Sequence, residues 1–252
     1  VMSWRKWSMR GAADVPDEWR AYYQLVREAL QAADSVVAVS AFLANEMRAQ
    51  YATDQRIDVI HNGWPATPDA LVTFDANDRR GTLLAGRIWD EGKNIALAAE
   101  AAHGWDSGDV CLAGERAHPD GGVADVPSPL QPLGFLSRSE LDARLRRSQV
   151  YLSTARYDPF GLLPLQAALN GCALLLSDIP SYREVWDGAA QFFGSDDVSD
   201  LRHQWRTLLQ DGTRISNLRR RAYERATRAY TPRRMIDAYL GVYTRVRARA
   251  AA

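Results

Sequence analysis

The sequence predicts a doubly wound α/β fold with parallel sheets, and three features carry that expectation. Strand-like segments read as short unbroken apolar runs, Val36-Val37-Ala38-Val39 being the first, where a sheet wet on one face would alternate apolar and polar residues. Segments with helically spaced apolar residues alternate with these runs along the chain. Of the 252 residues 46% are hydrophobic, enough to bury one good core or two modest ones.

Trp19, Tyr22, Tyr23, Val26 and Leu30 recur at helical spacing and predict a helix over 19–33, followed by a strand at 36–39. A second helix (41–50) and strand (57–60) complete an αβαβ series. Asn62-Gly63, Pro65 and Pro68 then break the pattern, and the polar stretch to Arg80 reads as a linker. A new series begins at Gly81 with a strand at 82–85, a helix at 95–102 and a strand at 110–113. A Gly- and Pro-rich loop (114–132) leads to a short strand at 133–135. Ser137-Arg138-Ser139-Glu140 has the form of a capping box opening a helix to 147. A strand at 150–153, a helix at 162–169 closed by Asn170-Gly171, a strand at 173–176 and a helix near 182–186 follow. Three tail helices are expected near 198–210, 214–230 and 232–249. In the last, Ile236, Tyr239, Leu240, Tyr243 and Val246 form one apolar stripe, which predicts a core-facing helix with a solvated basic face. Peripheral membrane contact through those arginines is the competing reading.

Lys plus Arg equal Asp plus Glu at 31 each, so no overall field draws the chain to nucleic acid, and any anion site has to be built locally. Cys111 and Cys172 sit in apolar surroundings as free thiols, which suits a reducing, cytoplasmic setting. No apolar run approaches the 18 or so residues of a membrane span, and the start lacks a signal-peptide core. The chain opens on Val1 and soon enters a full helix with no strand before it, which reads like a cut into a domain.

In an open α/β sheet ligands bind beyond the carboxyl ends of the strands, and two loops there carry candidate chemistry. Gly86-Arg87 and Lys93-Asn94 place two cations on a turn at a helix start, where free backbone amides also suit a diphosphate; surface ion pairing with the nearby acids is the plainer alternative. In Tyr157-Asp158-Pro159-Phe160-Gly161-Leu162, Gly161 lets backbone approach a ligand and the following helix aims its amides at an anion; an ordinary turn with Phe160 and Leu165 as core is the alternative. His61, His103, His118 and His203 show no metal-ligand spacing, and no nucleophile elbow or Cys-His pair supports a hydrolase.

Taken together, Ala33–Ser40, Val59-Ile-His-Asn-Gly63, Gly86-Arg87 with Lys93-Asn94, Leu133-Gly-Phe135-Leu-Ser137, the Phe-Gly-Leu loop and 171–186 resemble the retaining GT-B glycosyltransferases of family four. The resemblance implies a nucleotide-sugar-binding Rossmann-like domain at 81–230. It also implies a remnant of an N-terminal acceptor-side domain at 1–63, a linker at 64–80 and a crossing helix at 231–252. It implies transfer of a hexose from a nucleoside-diphosphate sugar to a hydroxyl acceptor, saccharide or lipid-linked, with retention and with neither metal nor cofactor. Arg87 and Lys93 would neutralise the donor diphosphate beside Gly86 and Phe135. The amides around Phe160, Gly161 and Leu162 would hold the phosphates and the sugar. Asp158 and Gln166 occupy the two positions where the family carries glutamates for sugar and ribose. Asp158 is one methylene short, and Gln166 as a neutral amide accepts fewer ribose hydroxyls, so weaker donor binding is expected. A non-catalytic nucleotide-sugar-binding protein, or a subunit completed by a partner chain, is the reading from a different class.

Overall fold

In the computed structural model, residues 15–66, 74, 79–104 and 110–251 are described. The chain divides into two units, Val1–Gly63 with Pro232–Ala252, and Trp64–Thr231. The first begins with helix α1 (Asp17–Ala32), strand β1 (Val36–Ala38), helix α2 (Ala41–Tyr51) and strand β2 (Ile57–Val59). β1 and β2 pair in parallel, Val36 beside Ile57 and Ala38 beside Val59. Ser40 caps α2 by accepting from Leu43 N at 3.1 Å. Tyr23 of α1 stacks on Tyr51 of α2 with ring centroids 4.9 Å apart, which closes the two helices over Leu30, Val36, Met47 and Ile57.

The second unit carries β3 (Thr82–Ala85), α3 (Ile95–Ala102), β4 (Val110–Ala113), β5 (Gln131–Gly134), α4 (Arg138–Arg147), β6 (Val150–Ser153) and α5 (Leu162–Leu169). β7 (Ala173–Ser177), α6 (Pro180–Trp186), β8 (Gln191–Phe193), α7 (Val198–Gln210) and α8 (Gly212–Ala229) complete it. The six strands are parallel in the order β5-β4-β3-β6-β7-β8. The chain winds outward from β3 to β5, then returns to the other flank of β3 as β6. A crevice therefore opens beyond the carboxyl ends of these two neighbours, where the winding reverses. Every residue of β6 and β7 is buried, as strands covered on both faces require. Where polarity enters this core it is matched: Trp205 Nε1 donates to Thr82 Oγ1 at 3.0 Å, both buried.

The doubly wound parallel architecture expected from the apolar runs is the observed one. The capping box forms as read, with Ser137 Oγ accepting from Glu140 N and Glu140 from Ser137 N. Three details differ. The edge strand β5 starts at Gln131 and ends at Gly134, because its pairing with β4, not its own apolarity, defines it. β8 is an additional strand, its three residues, Gln-Phe-Phe, too few to show a period. The final helix, α9 (Pro232–Ala250), is a correction. Its stripe does not face a core: Ile236, Leu240 and Tyr243 are 51%, 55% and 60% exposed, and Val242 is the residue buried. The helix docks on its own unit through a different edge, with Gly63 N donating to Met235 Sδ at 3.3 Å and Arg245 paired with Asp58. Helical spacing locates an apolar face but not the surface that meets it. Of the expected linker 64–80, residues 67–73 and 75–78 lie outside the described residues, as does 1–14. Its ends belong to the second unit: Trp64 N donates to Tyr230 O at 3.0 Å and Arg79 Nη1 to Asn170 O at 2.6 Å.

Candidate functional site at the strand switch point

β3 and β6 lie side by side, Leu83 beside Tyr151, so the loops after them leave the sheet together. At the end of β3 the backbone passes very close to that after β4. Gly86 has φ +155° and Gly114 φ +153°, and a Cβ on Gly114 would stand 1.7 Å from Gly86 O. Glycine at 114 is thus a steric requirement of the approach. Beyond Gly86 the chain makes a 3₁₀ turn, Glu91–Lys93, which the pattern of apolar residues did not reveal. Asp90 organises it from a buried position: Oδ1 accepts from Gly92 N at 3.0 Å and Oδ2 from Arg87 Nη2 at 2.6 Å. The Arg87 guanidinium, half-exposed, also lies 5.1 Å from the Trp89 ring centroid.

The two loops are joined by three contacts. Thr154 Oγ1 donates to Lys93 O at 3.0 Å, Arg156 N donates to Gly92 O at 3.0 Å, and Lys93 Nζ donates to Asp158 Oδ2 at 3.0 Å. The Lys93–Asp158 pair is largely buried, with side chains 19% and 14% exposed, so solvent screens it little. Asp158 Oδ1 accepts from Gly161 N at 2.8 Å and from Phe160 N at 3.3 Å, and Oδ2 also receives Tyr182 Oη at 3.3 Å. Burial, and after it the charge on Asp158, pushes the Tyr182 hydroxyl well above its ordinary value, and Tyr151 in the same direction.

Several expected site residues take places their spacing did not foretell. Lys93 and Asp158 are brought together. Gly86, Arg87 and Phe135 share the wall of a cleft of about 210 Å³ with Leu136, Leu141 and Leu163; Phe135 is 75% exposed. Phe160 is buried, its ring edge-on to Tyr230 at 5.5 Å. The Phe160 and Gly161 amides, expected to hold phosphates, already serve Asp158, which leaves those of Leu162 and Leu163 at the start of α5, where Pro164 has none to offer. Gln166 is buried and turned toward α4: its Nε2 donates to Asp142 Oδ1 at 2.9 Å, beside Asn170 Nδ2 at 2.8 Å. Asp142, Ser153 and Tyr182 were missed, because a lone polar residue inside a helix or strand gives no motif. A larger cleft of about 500 Å³, by Gly188, Gln191 and Arg214, lies at the amino end of β8, the opposite rim of a parallel sheet.

Two family models and several known proteins match the chain. Residues 128–229 match the family described as glycosyl transferases group 1, and residues 9–66 match glycosyltransferase family 4. Glycogen synthase of Mycobacterium tuberculosis is 28% identical over 237 residues, covering 87% of this chain and 55% of the synthase. Among solved structures, sucrose-phosphate synthase from Thermosynechococcus elongatus superposes with a TM-score of 0.80 at 16% identity, over 94% of this chain and 65% of that one. The fold is that of the GT-B glycosyltransferases. A second solved structure, Anabaena HepE in complex with UDP and glucose, gives a TM-score of 0.71 at 13% identity, over 88% of this chain and 66% of its own. The chain spans about half the length of the glycogen synthase it matches. Among the described residues, no helix is long and apolar enough to cross a membrane, and no three His, Cys, Asp or Glu side chains group as a metal site.

Proposed function

We propose that this chain is the nucleotide-sugar-binding portion of a retaining glycosyltransferase that moves a hexose from a nucleoside-diphosphate sugar to a hydroxyl acceptor, a saccharide or a lipid-linked one. In this reading 81–230 holds the donor, 1–63 belongs to an acceptor-side domain, 64–80 links them and 231–252 is a crossing helix. The observation that carries it is the junction of the two switch-point loops: Lys93 is fixed by Asp158, Arg87 lies on the adjoining cleft, and α5 presents its first amides nearby. Cations and a helix start are what a departing diphosphate needs, and fixed charges of this kind stabilise it without a metal. In this reading the Phe135–Leu141–Leu163 cleft takes the base and Gln166 the ribose. The acceptor hydroxyl attacks the face the diphosphate leaves, and the leaving phosphate oxygen takes its proton.

The second reading, a nucleotide-sugar binder without turnover or a subunit completed by another chain, is favoured by one observation. The hydrogen-bonding capacity of Asp158 and the donor group of Gln166 are spent inside the protein, on Lys93, Tyr182, Gly161 and Asp142. Calorimetric titration with UDP, GDP and ADP, paired with a transfer and donor-hydrolysis assay on the full-length protein, separates the two. Binding with turnover supports the first reading, and binding without turnover the second. Lys93→Ala should weaken diphosphate binding about ten- to hundredfold, the loss of one charge-assisted contact. Wild-type affinity in both Lys93→Ala and Arg87→Ala would remove the assignment.

A further inference from the structure

Tyr182 is wholly buried at the third position of α6, far in sequence from either switch-point loop. Its ring forms the floor of the second loop: a Cβ added to Gly161, whose φ is +88°, would meet Tyr182 Cε1 at 2.8 Å. Its hydroxyl has two neighbours, Asp158 Oδ2 at 3.3 Å and Ser153 Oγ at 2.8 Å. With its single proton given to Asp158, Tyr182 accepts from Ser153, so the donors run Ser153 to Tyr182 to Asp158. The carboxylate oxygen at the end of that relay is the one that takes Lys93 Nζ. The neighbouring backbone is tied to the same helix, since Ser181 Oγ donates to Asp158 O at 2.5 Å.

We propose that Tyr182 is a positioning residue for the anion site: through Ser153–Tyr182–Asp158 it sets where the Lys93 ammonium stands, and so how well the site receives a diphosphate. The significance for ligand rests on the functional reading above, whereas the positioning itself does not. Asp158 has two oxygens and four donors, and its rotamer is a compromise among them: Phe160 N and Gly161 N hold Oδ1, Lys93 and Tyr182 hold Oδ2. Removing the Tyr182 hydroxyl frees Oδ2 to follow Lys93 alone, and the ammonium relaxes with it. Burial, which pushes the hydroxyl well above its ordinary value, keeps the tyrosine a neutral donor at neutral pH.

The chain has two lysines, Lys6 and Lys93, so methylation with ¹³C-formaldehyde labels them and the α-amine only, and the Lys93 methyl signal is assigned from its absence in Lys93→Ala. Tyr182→Phe keeps the ring under Gly161 and removes one oxygen. The expected result is a displaced Lys93 signal in Tyr182→Phe, a smaller displacement of the same sense in Ser153→Ala, and no added displacement when Tyr182→Phe is combined with Asp158→Asn. Affinity for UDP should fall about two- to tenfold in Tyr182→Phe and show no further fall in the Lys93→Ala background. A Lys93 signal unmoved by Tyr182→Phe overturns the proposal, as does an equal loss of affinity with and without Lys93, which marks a merely structural residue. A displaced signal in a protein that binds no nucleoside diphosphate sustains the positioning and sinks the functional reading instead.

Discussion

Gly114→Ala is the sharpest probe of how the site is built. The new methyl would stand 1.7 Å from Gly86 O and 2.8 Å from Gly86 C, where real contacts stay above 3.0 Å. The obstructing atoms are backbone, and they are pinned: Gly86 N donates to Ala113 O at 3.0 Å, and Ile88 N to Glu115 O at 2.9 Å. Relief therefore means separating the ends of β3 and β4, which are also two walls of the 210 Å³ cleft. The φ of +153° costs an alanine about 1–3 kcal/mol, and forcing a methyl into packed backbone adds about 1–3 kcal/mol. The sum, about 2–6 kcal/mol, corresponds to a fall in Tm of roughly 5–20 °C for a domain of this size. Gly104→Ala is the matched control: its φ is +69° and nothing lies within 4 Å of the added carbon, so only the backbone cost of about 1 kcal/mol applies. Thermal unfolding followed by far-UV circular dichroism, with UDP titration of the surviving fold, reads both effects. If Gly114→Ala is no less stable than Gly104→Ala, the close approach of the two strand ends is wrong, and the cleft geometry with it.

Two further outcomes follow from buried chemistry. Gln166→Glu sets a second carboxylate against buried Asp142 and should destabilise by about 3–5 kcal/mol; Asp142→Asn in the same chain restores a donor opposite the new acid and should recover most of it in denaturant titrations. A double variant no more stable than Gln166→Glu would break the Asp142–Gln166 contact as the cause. Cys172 is fully buried, and burial pushes its thiol up to about 12 against the lowering influence of Arg79 and Arg219. The native thiol stays protonated while an unfolded one ionises from about 9. Between these values the native state binds more protons, so Cys172 makes stability decline as pH rises through that window, and contributes no such slope below it. Native protein should also show one readily titrated thiol, Cys111, and two after denaturation; rapid labelling of Cys172 in the folded state would contradict its burial.

The sequence alone determined the architecture and the two loops that matter, for a physical reason. Parallel strands buried on both faces have to be continuous apolar runs, and helices covering them need one apolar face, so 36–39, 82–85, 150–153 and 173–176 declare themselves locally. Gly86, Lys93 and Gly161 were legible because turns and helix starts restrict residue type, and Asp158 through the family resemblance alone. What spacing could not supply was partnership. Only the folded chain sets Asp158 against Lys93 across 65 positions, ties Gln166 to Asp142, seats Tyr182 beneath Gly161 and turns Ile236, Leu240 and Tyr243 outward. A hydrogen bond or a buried face depends on which distant surface arrives, and that is set by the order β5-β4-β3-β6-β7-β8 and the packing of its helices, which no local pattern encodes.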